Sequence, residues 1–543
     1  MILQRVPALL IPLFLLGPHE LRAQAPPRVA SLFPLGGRRG TLAEVELRGA
    51  GLDGAHAVWL GPGSRLVPAS SCDVAHTRGP EGLRAELQAV PDGSRAIVRL
   101  RIASDARIGF HSLGLVTPRG LSGAVAFWVG PDAVIASAAT PHDTPETAQP
   151  VQLPLAVNGR LTQGGQLDYY AFEVPGERQV AFEVICSNGP KVAKHLALEP
   201  QPALYEAGGS FLDPRRPRRL LFHEELTQGG MPASGKMTYH FTKPGRYLVS
   251  FGQRLARGGA GTSYLLRIAS VDASAAGEDS RSWARRRLRE LLSRTVAPPI
   301  VEPGLVKEAE PNDDPARATA FDGPAVLEGI INHPGDIDHF RFRAQAGQKL
   351  AFEVQAPLVS PPYFNPRLDV LNARGTVVCT SLRAQDAKIG TVNTKGVQLA
   401  QEVLGKLNED GGYTLRVRDL TSLQGGPEHG YRVLVRPQIP HVGAIRVEPD
   451  GPVNLPVGSR RRLTLHVSRE EEYHGTLAFS VEGLPEGVRA FVGANGSTID
   501  LVADSSAPRS RMPQDLRVWG LPSLRNDFGA AFLVAELPVM VVK

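Results

Sequence analysis

The densest run of potential ligand atoms in the chain is Glu308-Ala309-Glu310-Pro311-Asn312-Asp313, followed further on by Asp336 and Asp338. All are oxygen donors, and about six to eight oxygens, mostly carboxylate and carbonyl, are what a hard cation such as calcium takes. In an extended segment Glu308 and Glu310 fall on one side, and Asn312 and Asp313 add further oxygens. The competing reading is a set of solvated acids with a turn-forming aspartate.

Other chemistry has less behind it. His223-Glu224-Glu225-Leu226-Thr227 lacks the second histidine of a zinc-binding helix, and Gly120-Leu121-Ser122-Gly123-Ala124 precedes a strand without the βαβ context of a nucleophile elbow. The 14 histidines are scattered, with none at ligand spacing from a second, and there is no phosphate-cradling loop. A hydrolase stays open as the alternative because triads assemble in space. Pro361-Pro362-Tyr363-Phe364-Asn365-Pro366 puts two aromatics, Tyr363 and Phe364, on a Pro-rich loop, where they either contact a polysaccharide or protein or tuck into a sheet edge.

The elements that would position these residues are short strands. Gly 57 and Pro 46 punctuate the 543 residues, and apolar alternation fills the stretches between them. At about 100–200 residues per domain the length predicts three to five domains. Hydrophobic content of 42% is enough for real cores. A net charge of +6 with no basic stripe argues against nucleic acid as a partner. Arg5, the apolar stretch Val6–Gly17 and Leu21-Arg22-Ala23 read as a signal peptide over residues 1–23. That stretch is too short to span a bilayer, no other segment is long enough, and no cysteine precedes Cys72, so the expectation is a secreted or periplasmic protein without a membrane or lipid anchor.

An internal match at an offset of 170 residues organises the chain. Gly159, Gly165, Asp168, Phe172 and Ala181-Phe182-Glu183-Val184 recur as Gly329, Gly335, Asp338, Phe342 and Ala351-Phe352-Glu353-Val354, and Tyr264 later parallels Tyr431. A shared order over this length is duplication. In Phe340-Arg341-Phe342-Arg343 the aromatics point one way and the arginines the other, as a half-buried strand requires. Each copy needs two packed sheets to bury its apolar face.

Glu308-Ala309-Glu310-Pro311-Asn312-Asp313-Asp314, Gly335-Asp336-Ile337-Asp338-His339-Phe340, Gly412-Tyr413 and Tyr431 resemble the bacterial pre-peptidase C-terminal domain, a β-sandwich found in secreted peptidases and large envelope proteins. The resemblance covers 306–437, and more weakly 135–271, where the acidic opening is missing. It implies a targeting or substrate-binding accessory without an active site of its own. It also implies calcium in the second copy, held by Glu308, Glu310, Asn312, Asp313, Asp336 and, less directly, Asp338. At the same offset Glu308, Glu310, Asn312 and Asp336 become Ala138, Thr140, His142 and Gln166, so the first copy is expected not to bind it. The conserved pair Asp168 and Asp338 then reads as turn caps.

Residues 26–130 resemble an immunoglobulin-like (IPT/TIG-type) domain, on Phe33-Pro34-Leu35-Gly36-Gly37 and the alternating run Ala43–Gly49. Residues 441–543 form a fourth β unit, whose Leu484-Pro485-Glu486-Gly487-Val488 resembles a bacterial immunoglobulin-like turn. Cys72, Cys186 and Cys379 then fall in three domains, which excludes a disulfide within any one of them and leaves three buried apolar thiols. Between the copies, 278–296 predicts one linker helix, capped by Asp279 or Ser280, with Ala284, Leu288, Leu291 and Leu292 on one side and five arginines around it. It either docks on a sandwich or lies on an anionic membrane surface.

The sequence thus predicts an all-β chain of tandem β-sandwiches with one linker helix. Its expected role is non-catalytic binding, adhesion or scaffolding at the cell envelope, with an envelope or extracellular protein or polysaccharide as partner. The alternative is a secreted hydrolase or its accessory subunit.

Overall fold

The computed structural model describes residues 25–69, 75–186, 200–209, 219–223, 233–253, 262–270, 279–296, 301–357, 365–381, 387–389, 398–423, 425–427, 429–494, 496–524 and 527–543. The signal segment, Cys72, residues 224–227, Tyr363 and Phe364 lie outside them.

Eight sheets pair into four sandwiches, each from one contiguous stretch of chain. Alternation decides which side of each strand is buried. In Arg95–Ile102 the side chains of Ala96, Val98, Leu100 and Ile102 are buried and Arg95, Arg99 and Arg101 are exposed. Phe340 and Phe342 likewise enter the core of the second copy while Arg341 and Arg343 face solvent.

The duplication is visible in the topology. In the first copy one sheet runs Ala133–Ala136, Leu155–Arg160, Ser263–Ser270, Arg178–Cys186, Ala233–Phe241. The second copy repeats it as Gly304–Lys307, Ala325–Ile330, Gly430–Pro437, Lys349–Pro357, Gln398–Lys406, with Ala387–Ile389 added at the edge. In both, the first strand pairs in parallel with the second, so the chain entering each copy is clamped into its sheet. Cys186 and Cys379 are buried in these cores and form no disulfide.

The linker helix spans Ser280–Leu292 and is capped by Asp279, whose Oδ1 accepts the N–H groups of Arg281 and Ser282 at 3.0 Å. Trp283, Ala284, Leu288 and Leu291 pack on Val326, Leu434 and Ile439, with the Arg432 guanidinium 4.6 Å from the Trp283 ring centroid. The apolar face that a membrane would need is therefore occupied by the second sandwich, which removes the membrane-surface reading. Among the described residues no helix is long and apolar enough to cross a membrane.

Two asparagines fasten neighbouring domains by imitating a strand edge. Asn158 accepts the Leu35 N–H (2.8 Å) and donates to the Gly36 carbonyl (3.1 Å), joining the first domain to the first copy. Asn454 treats the backbone of Leu121 in the same way, at 2.9 Å in both directions. Beside it Ala57, Trp59, Val116 and Leu121 pack on Met540 and Val542, so the first and last domains touch.

Candidate metal centre

The acidic opening follows directly from the clamped strand Gly304–Lys307. Glu308 continues the pairing, its N–H donating to the Glu328 carbonyl (2.9 Å), and its Oε1 accepts the Ile330 N–H (2.7 Å). Glu310 accepts the Asn312 N–H (2.9 Å) and the Asn332 Nδ2–H (3.0 Å). Asp313 accepts the Ile337 N–H (3.1 Å), and Asp336 the Asn332 N–H (2.5 Å). Glu308, Asp313 and Asp336 are thus each oriented by a backbone N–H on one oxygen, whereas Glu310 is held through both of its oxygens.

The carboxylate oxygens of Glu308, Glu310 and Asp338 lie within 4.8 Å of one another, and so do the ligand atoms of Asp313, His333 and Asp336. Five of the six residues read from sequence therefore gather in two adjoining groups. The sixth, Asn312, is fully buried, and among the described residues neither atom of its side-chain amide has a hydrogen-bond partner. Asp338 is also fully buried. Its Oδ2 accepts the Tyr431 hydroxyl (2.6 Å), while among the described residues its Oδ1 and the Glu308 Oε2 have no donor. A Cβ on Gly329 would sit 2.5 Å from that Glu308 oxygen and 2.3 Å from the Tyr431 hydroxyl, so the glycine is what lets the two approach.

Burial pushes the Asp338 carboxyl up to about 9, reinforced by the neighbouring Glu308. Burial raises Glu308 and Asp336 as well, with Glu310 adding to both. Buried bare carboxylates at this separation cannot all ionise without a counter-charge. Oxygen donors, two of them on exposed side chains at the rim (Glu310 and Asp313), fit a hard divalent cation. Glu308, Glu310 and Asp338 would hold it, with Asp313 and Asp336 beside them; the cation would supply the charge that lets these acids stay ionised together. His333 was not among the residues singled out in the sequence. Its only signal is its place in the His333-Pro334-Gly335-Asp336 turn, whose Asp336 N–H bonds back to the His333 carbonyl (3.1 Å).

The first copy shows the same framework closed by hydrogen bonds. Tyr264 donates to Asp168 Oδ2 (2.5 Å) as Tyr431 does to Asp338, so these aspartates anchor the late tyrosine and are not turn caps. Gln166 Nε2 donates to Asp168 Oδ1 (2.8 Å), supplying the partner that Asp338 Oδ1 lacks. The simple offset places Ala138 opposite Glu308, but the backbone corrects this. The Ser137 N–H donates to the Asn158 carbonyl as the Glu308 N–H does to Glu328, so Ser137 occupies the glutamate's place. A chain of contacts runs from there: His142 Nε2 to Ser137 Oγ (2.9 Å), Ser137 to the Tyr170 hydroxyl (3.1 Å), and Tyr170 to the Tyr264 hydroxyl (2.5 Å). Burial pushes both tyrosines above their usual range.

Ser137 and His142 border an open groove of about 820 Å³ shared with Phe33, but they do not form a triad. Asp168 lies 3.8 Å from the same Nε2 that meets the serine, while Nδ1 faces the Thr140 carbonyl at 3.1 Å, so no carboxylate orients the base. Ser122, the nearest form of a nucleophile elbow, is fully buried, accepts the Leu115 N–H (2.9 Å) and donates to the Gly123 carbonyl (3.1 Å). Burial raises the Cys186 thiol far above the reactive range.

No family model matches the chain, and no curated protein matches it. Among solved structures it is similar to the pre-peptidase C-terminal domain of a collagenase from Bacillus anthracis, at 15% identity over 24% of this chain and 99% of that one, with a TM-score of 0.17. It is also similar to SGBP-B of the Bacteroides ovatus mixed-linkage glucan utilization locus, in complex with a mixed-linkage heptasaccharide, at 12% identity over 74% and 72% of the two chains and a TM-score of 0.15. Tripeptidyl peptidase 2 matches at 9% identity over 95% of this chain and 39% of its own, with a TM-score of 0.16. The tandem array of β-sandwiches rests on the chain's own sheet order.

Proposed function

We propose that this is an exported, non-catalytic binding, adhesion or scaffolding protein of the cell envelope whose second sandwich, of the pre-peptidase C-terminal type, is set by calcium. One observation carries the calcium reading. Among the described residues Asp338 Oδ1 and Glu308 Oε2 stand without hydrogen-bond partners in the second copy, where the matching Asp168 oxygen in the first is capped by Gln166. The cation's position explains its use. Glu308 and Glu310 follow the helix and the first parallel strand, so binding there fastens the chain between the two halves of the molecule. Export rests on the leader-like residues 1–23.

Titration calorimetry on the chelated protein should show calcium binding that the double substitution E308Q/D338N abolishes. Retention on a panel of insoluble polysaccharides and immobilised peptides, measured in calcium and in chelator, tests the binding role, with ester and peptide hydrolysis followed in parallel. Calcium-dependent retention without turnover is the expected result. Turnover that survives purification and is lost on replacing Ser137 or His142 would overturn the non-catalytic reading.

A further inference from the structure

The second sandwich meets the C-terminal domain around one guanidinium. Arg436 is fully buried on the outer face of the strand Gly430–Pro437 and reaches three carboxylates. Its Nε donates to Glu353 (2.7 Å), its Nη2 to Glu402 (3.1 Å), and its two Nη atoms to the two oxygens of Glu471 (2.8 and 3.0 Å). Glu353 and Glu402 stand directly opposite each other in the ladder, so two like charges share one face of the sheet.

Glu471 comes from the other domain, in the turn after the strand Arg460–Glu470, and its Oε2 also accepts the Ile439 N–H (2.6 Å). That turn holds two consecutive non-glycine residues in the left-handed region, Glu471 at φ 49° and Glu472 at φ 64°. Such a conformation persists only where the surroundings over-determine it. Here the reach of Glu471 to Arg436 is what holds it.

The other charges at the joint are few. Arg287, from the helix, donates to Glu353 (2.6 Å) and lies 3.5 Å from the exposed Glu290. Lys349 pairs with the exposed Glu472 at the rim. Lys388 stands opposite Glu402 in register on the edge strand. His441 is buried with Nδ1 3.7 Å from Glu471 and 2.7 Å from the Ile439 carbonyl. Among the described side chains, three acids, Glu353 and Glu471 buried and Glu402 half-buried, therefore face two cations, Arg436 and Arg287, and Glu402 holds the longest of the carboxylate contacts to Arg436.

We infer that this joint is a proton-operated latch: it is closed while Glu402 is neutral, and it loosens when Glu402 ionises beside Glu353 and Glu471, two carboxylates already paired with Arg436. Burial and the neighbouring Glu471 and Glu353 push Glu402 up to about 7, while Arg436 holds Glu471 below its ordinary value despite burial. A raised value in the closed state means that the stabilisation is complete below the ordinary glutamate range and is lost as pH rises through about 7. Burial lowers His441, so at the acid end its protonation next to Arg436 and Arg287 works against closure. The joint is tightest in mildly acidic solution.

The Ile439 amide, bonded across the joint, reports on the latch in the intact protein. Protection factors from hydrogen exchange remove the intrinsic pH dependence of the amide. The Ile439 factor should fall by up to about tenfold between pH 6 and pH 8, while Val157 in the first copy stays unchanged. E402Q should abolish the fall, and H441Q should deepen it, because His441, lowered in the closed state, opposes Glu402 once pH drops below the ordinary histidine value. E402M, neutral and of similar length, repeats the test if the glutamine variant folds poorly. A flat profile in the unmodified protein, or a fall that persists in the neutral variants, would overturn the latch.

Discussion

Asp338→Asn should melt above the unmodified protein in chelator and below it in calcium. Without a cation, the Asp338 carboxyl is fully buried, has one bare oxygen and sits beside Glu308, whose inner oxygen is also bare. An asparagine keeps an acceptor for the Tyr431 hydroxyl and removes the cost of holding a buried carboxyl neutral well above its ordinary range, so the chelated form gains stability. With calcium the order reverses, because the variant has lost a ligand at the centre of the group. Calcium at 100 times its dissociation constant contributes about 2.7 kcal/mol. At about 2–4 °C per kcal/mol for folding units of this order, the unmodified protein should gain about 5–10 °C and the variant little. Scanning calorimetry of both proteins in both conditions reads the crossover directly. Equal calcium shifts in the two would show that the acids are solvated surface charges.

The strands that build this site were legible because alternation is local. Phe340-Arg341-Phe342-Arg343 announces its buried side in four residues. The acids could be listed from the sequence but not arranged. Glu308 and Asp338 meet only because the entering strand pairs in parallel with Ala325–Ile330, which in turn pairs with the strand carrying Tyr431. The placement of Ala138 opposite Glu308 failed for a related reason. An offset without a gap cannot show the extra residue between Ser137 and His142, and backbone pairing can. Trp283 was not counted in the helix stripe, although it packs as deeply as Leu288 against the second sandwich. The Arg436 joint and the contact between the first and last domains left no pattern at all. Both depend on residues from different domains whose only relation is spatial, as with Leu121 and Asn454.

The two copies should be interconvertible at this site. Five steps separate Ser137 from His142, against four from Glu308 to Asn312, so single substitutions in the first copy would leave the acids out of phase with Asp168. Replacing residues 137–143 with Glu-Ala-Glu-Pro-Asn-Asp shortens the segment by one and supplies Glu308, Glu310, Asn312 and Asp313 in their own spacing. Q166D then uncaps Asp168 Oδ1, which Gln166 now satisfies. Tyr170→Phe removes the hydroxyl that ties Ser137 to Tyr264 and matches Phe340 in the second copy. Titration calorimetry should find calcium bound at both copies in this protein, and the number of ions should return to the original with Asp168→Asn. In the converse exchange, residues 137–143 replace 308–313 together with D336Q, and calcium binding should be lost while the protein stays folded in chelator. If the first exchange folds and binds no further calcium, the acids alone do not make the site. If the converse exchange still binds it, the ion sits elsewhere. Either result would separate the shared sandwich framework, with its tyrosine-anchored aspartate, from the ligands that distinguish the two copies.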